Sequence, residues 1–151
     1  MYKHILVPTD GSKLSAKGVK QAIEMAKALR AKITAVHVVD DYHQRMHDQD
    51  EGFMMPVMPT LKKDFDDRRA AQANEILSPV QELARKAGVK CDTAVATGDT
   101  PYEMIIKQAR KSKCDLIMMA SHGRSGIKGI LLGSETAKVL THSKIPVLVV
   151  R

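Results

Sequence analysis

The chain has little with which to stack on a nucleic-acid base: no tryptophan, two phenylalanines and three tyrosines among 151 residues. Base platforms are built from aromatic faces, so the formal charge of +7 is not read as a nucleic-acid surface, and no nucleic-acid partner is expected. Lysine and arginine are spread through every helical segment instead of forming a block, which is the pattern of solvated faces. That positive field still favours encounter with a small anion. Long apolar runs are also missing; none approaches the roughly 18 residues of a membrane span, and no membrane partner is expected. The N-terminal MYKHILVPTD enters a strand at once, without an apolar leader or a small-residue cleavage site. Cysteine is scarce. Cys91 and Cys114 match no metal or redox spacing and stand where strands begin, so they read as buried free thiols in a reducing compartment. These absences predict one cytoplasmic domain over residues 1–151.

Two phosphate-binding patterns are missing as well. There is no G-x-x-x-x-G-K-[ST], and the turn after the first strand is PTDGS, not G-x-G-x-x-G. A receiver-like phosphoacceptor reading would need Asp10 with a lysine after the last strand, whereas Lys144 precedes that strand.

What is present alternates between strand and helix. KHILVP at residues 3–8 is a β-branched run closed by Pro8, and Thr9-Asp10-Gly11-Ser12 is turn chemistry in which Ser12 or Asp10 can cap the next helix. That helix carries Val19, Ala22, Ile23, Ala26 and Leu29 on one face. ITAVHVV at residues 33–39 is continuously apolar, the mark of a strand buried on both sides. Residues 40–59 break the pattern and read as an acidic, methionine-containing flap. The spacing of His43 and His47 would let both face one metal ion if that stretch were helical.

A long helix follows, with Ala70, Ala73, Leu77, Val80, Ala84 and Ala87 inward and Gly88 as its terminator; Ser78-Pro79-Val80-Gln81 predicts a kink or restart. Residues 89–97 form a third strand. Thr100-Pro101-Tyr102-Glu103 reads as a capping box opening a helix with Ile105, Ile106 and Ala109 inward. LIMMA, residues 116–120, is a fourth strand, Ser134 is expected to cap a short helix, and residues 145–150 form a fifth strand.

This order argues an α/β fold: an open five-stranded parallel sheet with helices on both faces. Ligands of such sheets bind beyond the carboxyl ends of the strands, where strand order reverses. If the first strand is central, it neighbours the fourth, and Pro8-Thr9-Asp10 lies beside Ala120-Ser121-His122-Gly123. The loop from Gly123 to Gly133 holds Gly126 and Gly129 with Arg124 and Lys128, and leads into a helix N-terminus. Those are the parts of a phosphate cradle.

The spacing A-x2-G-x9-G-S over Ala120, Gly123, Gly133 and Ser134 resembles the universal stress protein family, whose nucleotide-binding members carry G-x2-G-x9-G-[ST] after strand four. HILVPTDGS, AVHVVD, MASHGRSGIKGILLGSETAKVL and KIPVLVVR extend the likeness along the whole chain. The resemblance implies a flavodoxin-like sheet of order 3-2-1-4-5 and an ATP site, with Mg²⁺ accompanying the nucleotide. Carried over by position, Pro8, Thr9 and Asp10 border the adenosine and Val38 offers backbone contacts to adenine. Met119, Ala120 and Gly123 pass close to ribose and phosphates, while Gly133 and Ser134 give donors to the phosphates with Glu135 alongside. Ser121 and His122 complete the stretch at the strand end, His122 reading as a turn residue or phosphate-side donor in preference to a catalytic base, and Arg124 and Lys128 are added for their charge and position. Ala120 stands where the family has its first motif glycine. A methyl group there is tolerable if φ is negative and obstructive if φ is positive or the backbone must touch the ligand.

Three functions follow as expectations: an ATP-binding regulator in stress response, a slow ATPase, or a dimeric interaction module without nucleotide. The apolar last strand, residues 145–150, would lie at a sheet edge and is expected to pair with its copy in a homodimer.

Overall fold

A computed structural model describes residues 1–39, 59–122 and 132–151; the expectations for residues 40–58, with His43 and His47, lie outside it. The described elements run β1 His4–Pro8, α1 Lys13–Leu29, β2 Lys32–Val39, α2 Pro59–Lys86, β3 Cys91–Thr97, α3 Pro101–Lys111, β4 Leu116–Ala120, α4 Ser134–His142 and β5 Val147–Val150. All the strand pairs are parallel, in the order β3-β2-β1-β4-β5. That is the order implied by the resemblance. Ile5 of β1 pairs with Ile33 on one side and Leu116 on the other.

Period-two alternation divides the core into two layers. Ile5, Val7, Ile33, Ala35, Leu116 and Met118 meet α1 and α2 through Val19, Ala22, Ile23, Leu77, Val80 and Ala84. Leu6, Val36, Ile117 and Met119 meet α3 and α4 through Ile105, Ile106, Ala109 and Val139. Both faces of β1 and β4 are therefore sealed, which is why LIMMA reads as one unbroken apolar run.

Two boundary expectations are corrected. The restart at Pro79 does not occur: α2 runs through it. The proline costs about 3 kcal/mol in a helix interior, but its neighbours Leu77 and Val80 are both buried against the sheet. At about 1.5–3 kcal/mol each, their burial offsets the break, and a restart would give it up. Gln81, expected in a capping box, instead donates from Nε2 to the Cys91 carbonyl at 3.3 Å. Ala70, expected inward, is exposed. Gly88 does end α2 as expected, with φ of +74°, while the Val89 N–H reaches back to the Ala84 carbonyl at 2.9 Å.

The capping box at α3 also fails. Pro101 is at the start, but Thr100 makes no side-chain cap, and Glu103 accepts from the Tyr102 hydroxyl at 3.0 Å. The missing acceptor comes from another helix, as described below.

Candidate functional site

The carboxyl ends of β1 and β4 are adjacent, and the residues beyond them are held in three places. The first tie is the turn after β1. Thr9 donates its N–H to the Val36 carbonyl at 2.9 Å, and its own carbonyl accepts from Nδ1 of buried His37, also at 2.9 Å. A carbonyl only accepts, so Nδ1 of His37 carries a proton. Inside the turn, Asp10 Oδ1 accepts from the Ser12 N–H at 2.9 Å, and Ser12 Oγ caps α1 by accepting from the Ser15 N–H at 3.2 Å. The Ser15 hydroxyl donates to the Ser12 carbonyl at 3.0 Å, which leaves the Thr9 hydroxyl to donate to Ser15 Oγ at 3.1 Å. Thr9 is thereby turned inward, and Asp10 is held on the rim.

The second tie joins β4 to α4. The Gly133 N–H donates to the Ser121 carbonyl at 2.7 Å, and the buried Thr136 hydroxyl donates to the Ala120 carbonyl at 3.1 Å. Ser121 is itself fixed to the far edge by its N–H on the Val150 carbonyl at 2.8 Å. A side chain at Gly133 would put its Cβ 3.1 Å from the Ser121 carbonyl oxygen and 3.4 Å from His122 Cα. Glycine is needed here for close approach, not for an unusual φ.

The expectation that Ser134 caps α4 is corrected. The N-cap is Gly133, in extended conformation with φ −67° and ψ 152° and no side-chain cap bond; its carbonyl accepts from the Ala137 N–H at 3.0 Å. The bond from Gly133 to Ser121 fixes the helix start one residue earlier, so exposed Ser134 is the first helical residue. Among the described residues no side chain caps the opening N–H groups of α4, a place suited to an anion.

The third tie sits on the rim. Glu135 Oε2 accepts from the Tyr102 N–H at 2.9 Å, and Glu135 Oε1 accepts from Lys138 Nζ at 3.0 Å. Glu135 therefore supplies α3 with the acceptor that Thr100 was expected to give, and the ring of Tyr102 stands 5.2 Å from that of His142.

Of the residues singled out from sequence, Thr9 and Asp10 lie at the first tie directly after Pro8; Ala120, Ser121, Gly133 and Ser134 lie at the second with His122 beside them; and Glu135 lies at the third. Met119 packs its side chain into the core beneath α3 and α4, which leaves only its backbone for a ligand. Val38 lies on β2 two residues past Val36, the partner of Pro8. Its side chain packs on the same layer as Met119. Gly123, Arg124 and Lys128 lie outside the described residues. Two residues that shape the site were missed. His37 was hidden in an apolar strand run, and Thr136 carried no signal at all.

The substitution at the first motif position is resolved by geometry. Ala120 is not among the residues of positive φ, and its methyl faces α1, where a Cβ on Gly18 would lie 3.6 Å from it. The side chain that departs from the family pattern lies on the α1 side of β4.

Among the described residues no three His, Cys, Asp or Glu side chains converge as metal ligands. On the rim, Asp10 accepts from the Ser12 N–H, and Glu135 is held by Tyr102 and Lys138. Away from this site, α2 and β3 border an open groove of about 480 Å³ lined by Leu77, Gln81, Thr93 and Val95 with small residues of α2. It contains no titratable group.

The sequence pattern of the Universal stress protein family matches residues 1–151. The chain belongs to the universal stress protein family. Universal stress protein MJ0531 of Methanocaldococcus jannaschii is 36% identical over 151 residues, covering 100% of this chain and 83% of that one. The solved structure of hypothetical protein MJ0577 aligns with a TM-score of 0.79 at 28% identity, over 99% of this chain and 96% of its own. A universal stress protein solved in complex with cAMP aligns with a TM-score of 0.69, also at 28% identity, over 99% and 97%. Among the described residues of this universal stress protein, no helix is long and apolar enough to cross a membrane.

Proposed function

We propose that this universal stress protein binds an adenine nucleotide at the carboxyl ends of β1 and β4 and acts as a nucleotide-dependent regulator in the cytoplasmic stress response, with ATP as its ligand. The observation that carries this reading is the N-terminus of α4, pinned by Gly133 against the end of β4 and without a side-chain cap among the described residues. The cAMP complex of a 28% identical relative supports the adenine nucleotide class. In this arrangement Val38 and Pro8-Thr9-Asp10 border the nucleoside. The α4 start meets the phosphates, with Gly123, Arg124 and Lys128 contributing from the loop. The described donors do not build a protein cage for Mg²⁺, so a Mg²⁺ ion would be carried by the phosphates of ATP.

Holding is favoured over hydrolysis. Water attack on a phosphoryl group needs a group that positions the water, and the carboxylate nearest the α4 start, Glu135, is committed to Tyr102 and Lys138. Equilibrium dialysis with radiolabelled ATP against nucleotide-free protein tests the proposal; retention supports it, and none at millimolar ATP overturns it.

The same protein is proposed to form a homodimer through residues 145–150. Of the two sheet edges, β3 exposes the polar Asp92, Thr93 and Thr97, which blunt it against pairing. Strand β5 carries only Val147, Leu148, Val149 and Val150, the first three half-buried, and suits pairing across a two-fold axis. Light scattering at micromolar concentration should give twice the chain mass; a monomer would contradict it.

A further inference from the structure

The parallel topology gathers positive charge at one pole of the molecule. Every strand of the sheet points the same way, and each helix runs back to the start of the next strand. Helix ends and strand starts therefore share the face opposite the candidate nucleotide site. Five segments surface there: the residues before β1, and the connections that follow α1, α2, α3 and α4. Each carries one exposed cation, in order Lys3, Arg30, Lys90, Lys113 and Lys144. The one acid in these segments is Asp115, and its carboxylate is taken by the Lys3 and His4 N–H groups at 2.8 and 3.0 Å. The last helical turns add Lys27, Arg110 and Lys111, besides Arg85 and Lys86 beside Glu82. Asp92, second in β3, is the other exposed acid nearby.

Cations at helix C-termini complement the helix dipole, which accounts for some of these residues. Two observations exceed that account. Each C-terminus carries about half a negative charge, so the ends of α1 to α4 call for far fewer cations than the pole holds. Arg30 and Lys113 also have φ of +53° and +54°. Glycine is favoured in that left-handed region, as Gly88 shows after α2 with φ of +74°. The strain of a side chain there is larger than what an exposed cation recovers from a helix dipole. The chain thus places long cationic side chains where the fold itself would take glycine. Among the described residues, none of the five connection cations pairs its side chain with an acid.

The same pole selects among anions. The last carbonyls of a helix find no partner within it, so acceptors stand between the cations. Nucleic-acid and lipid phosphates bring further acceptors, which those carbonyls repel. A polypeptide rich in Asp and Glu brings carboxylates for the cations and backbone N–H donors for the carbonyls. We propose that this pole is a docking surface for an acidic segment of a partner protein, engaged from the side away from the nucleotide.

Fluorescence anisotropy of the full chain with a labelled glutamate–glycine repeat peptide tests this. Binding should weaken about tenfold or more between about 50 and about 300 mM salt, as the charges are screened. Arg30→Gly combined with Lys113→Gly should weaken it by about tenfold at low salt. That variant should be at least as stable as wild type in urea, because glycine suits both φ values. If it does not fold, Lys90→Gln combined with Lys144→Gln carries the same expectation for binding. Lys17→Gln combined with Lys20→Gln removes the same net charge from the exposed face of α1, and should leave binding within about twofold. An equal loss in that control means a general field effect and overturns the docking surface, as does wild type that leaves the peptide free at low salt. Tighter binding of duplex DNA or of phosphatidylserine vesicles than of the peptide overturns the choice of partner and assigns the pole to a nucleic acid or a membrane surface.

Discussion

Ala120 at the end of β4 packs its methyl group onto Gly18 of α1, where a second methyl would sit 3.6 Å away. The methyl that departs from the family's glycine spacing is therefore accommodated by a glycine of α1. Restoring the pattern with Ala120→Gly should leave nucleotide affinity within about twofold while costing about 1–2 kcal/mol of stability, from the lost methyl and the freer strand backbone. The complementary change Gly18→Ala places a Cβ in ordinary contact, 3.4 Å from the Ala120 nitrogen. It should stabilise the protein by about 0.5–1 kcal/mol through helix propensity. Urea unfolding with a nucleotide titration of each variant checks both; a tenfold gain in affinity from Ala120→Gly would show that the methyl had been obstructing the site.

His37 holds the turn that carries Asp10. Replacing it with leucine leaves the buried Thr9 carbonyl without its 2.9 Å donor, and a buried unsatisfied group costs about 1–3 kcal/mol. Asparagine places an amide N–H near the position of Nδ1, so His37→Asn should recover part of the loss. Equal destabilisation by leucine and asparagine in denaturant melts would argue that packing, not the hydrogen bond, is what His37 supplies.

A pH dependence is expected from the opposite end of the sheet. His4 is buried, its Nε2 paired with Thr34 Oγ1 at 2.8 Å. Burial, with Lys32 nearby, lowers its pKa below the ordinary 6.5, an effect partly opposed by Asp92 and Asp115. The unfolded chain therefore takes up a proton before the folded one does. The His4 contribution to stability is complete above the ordinary value and is lost as pH falls from there through the folded pKa, below which it levels off. Thermal melts between pH 7.5 and 5 should show this decline in wild type and a shallower one in His4→Gln; identical slopes would contradict it.

The sheet was legible in the sequence because burial on both faces leaves unbroken apolar runs such as LIMMA and ITAVHVV, which tolerate few other readings. Gly88 was legible for a similar reason, since a helix terminus at positive φ restricts the choice of residue. The local capping patterns were less reliable. Thr100 and Ser134 had the right spacing to cap, yet the Tyr102 N–H bonds Glu135 instead, and the Gly133 N–H on the Ser121 carbonyl sets the α4 start one residue earlier. Pro79 misled in the same way, because packing of Leu77 and Val80 outweighed a local penalty. The contacts of His37, Thr136 and Gly18 join residues far apart in the chain and leave no periodic trace.

The central claim is where the nucleotide sits, and an amide ¹H–¹⁵N titration with AMP tests it most directly. The account predicts the largest shifts at Thr9, Asp10, Val38, Ser121, His122 and Ser134, with the α2–β3 groove at Asn74, Ser78, Thr93 and Val95 undisturbed. Shifts centred on that groove, or none at saturating AMP, would contradict it.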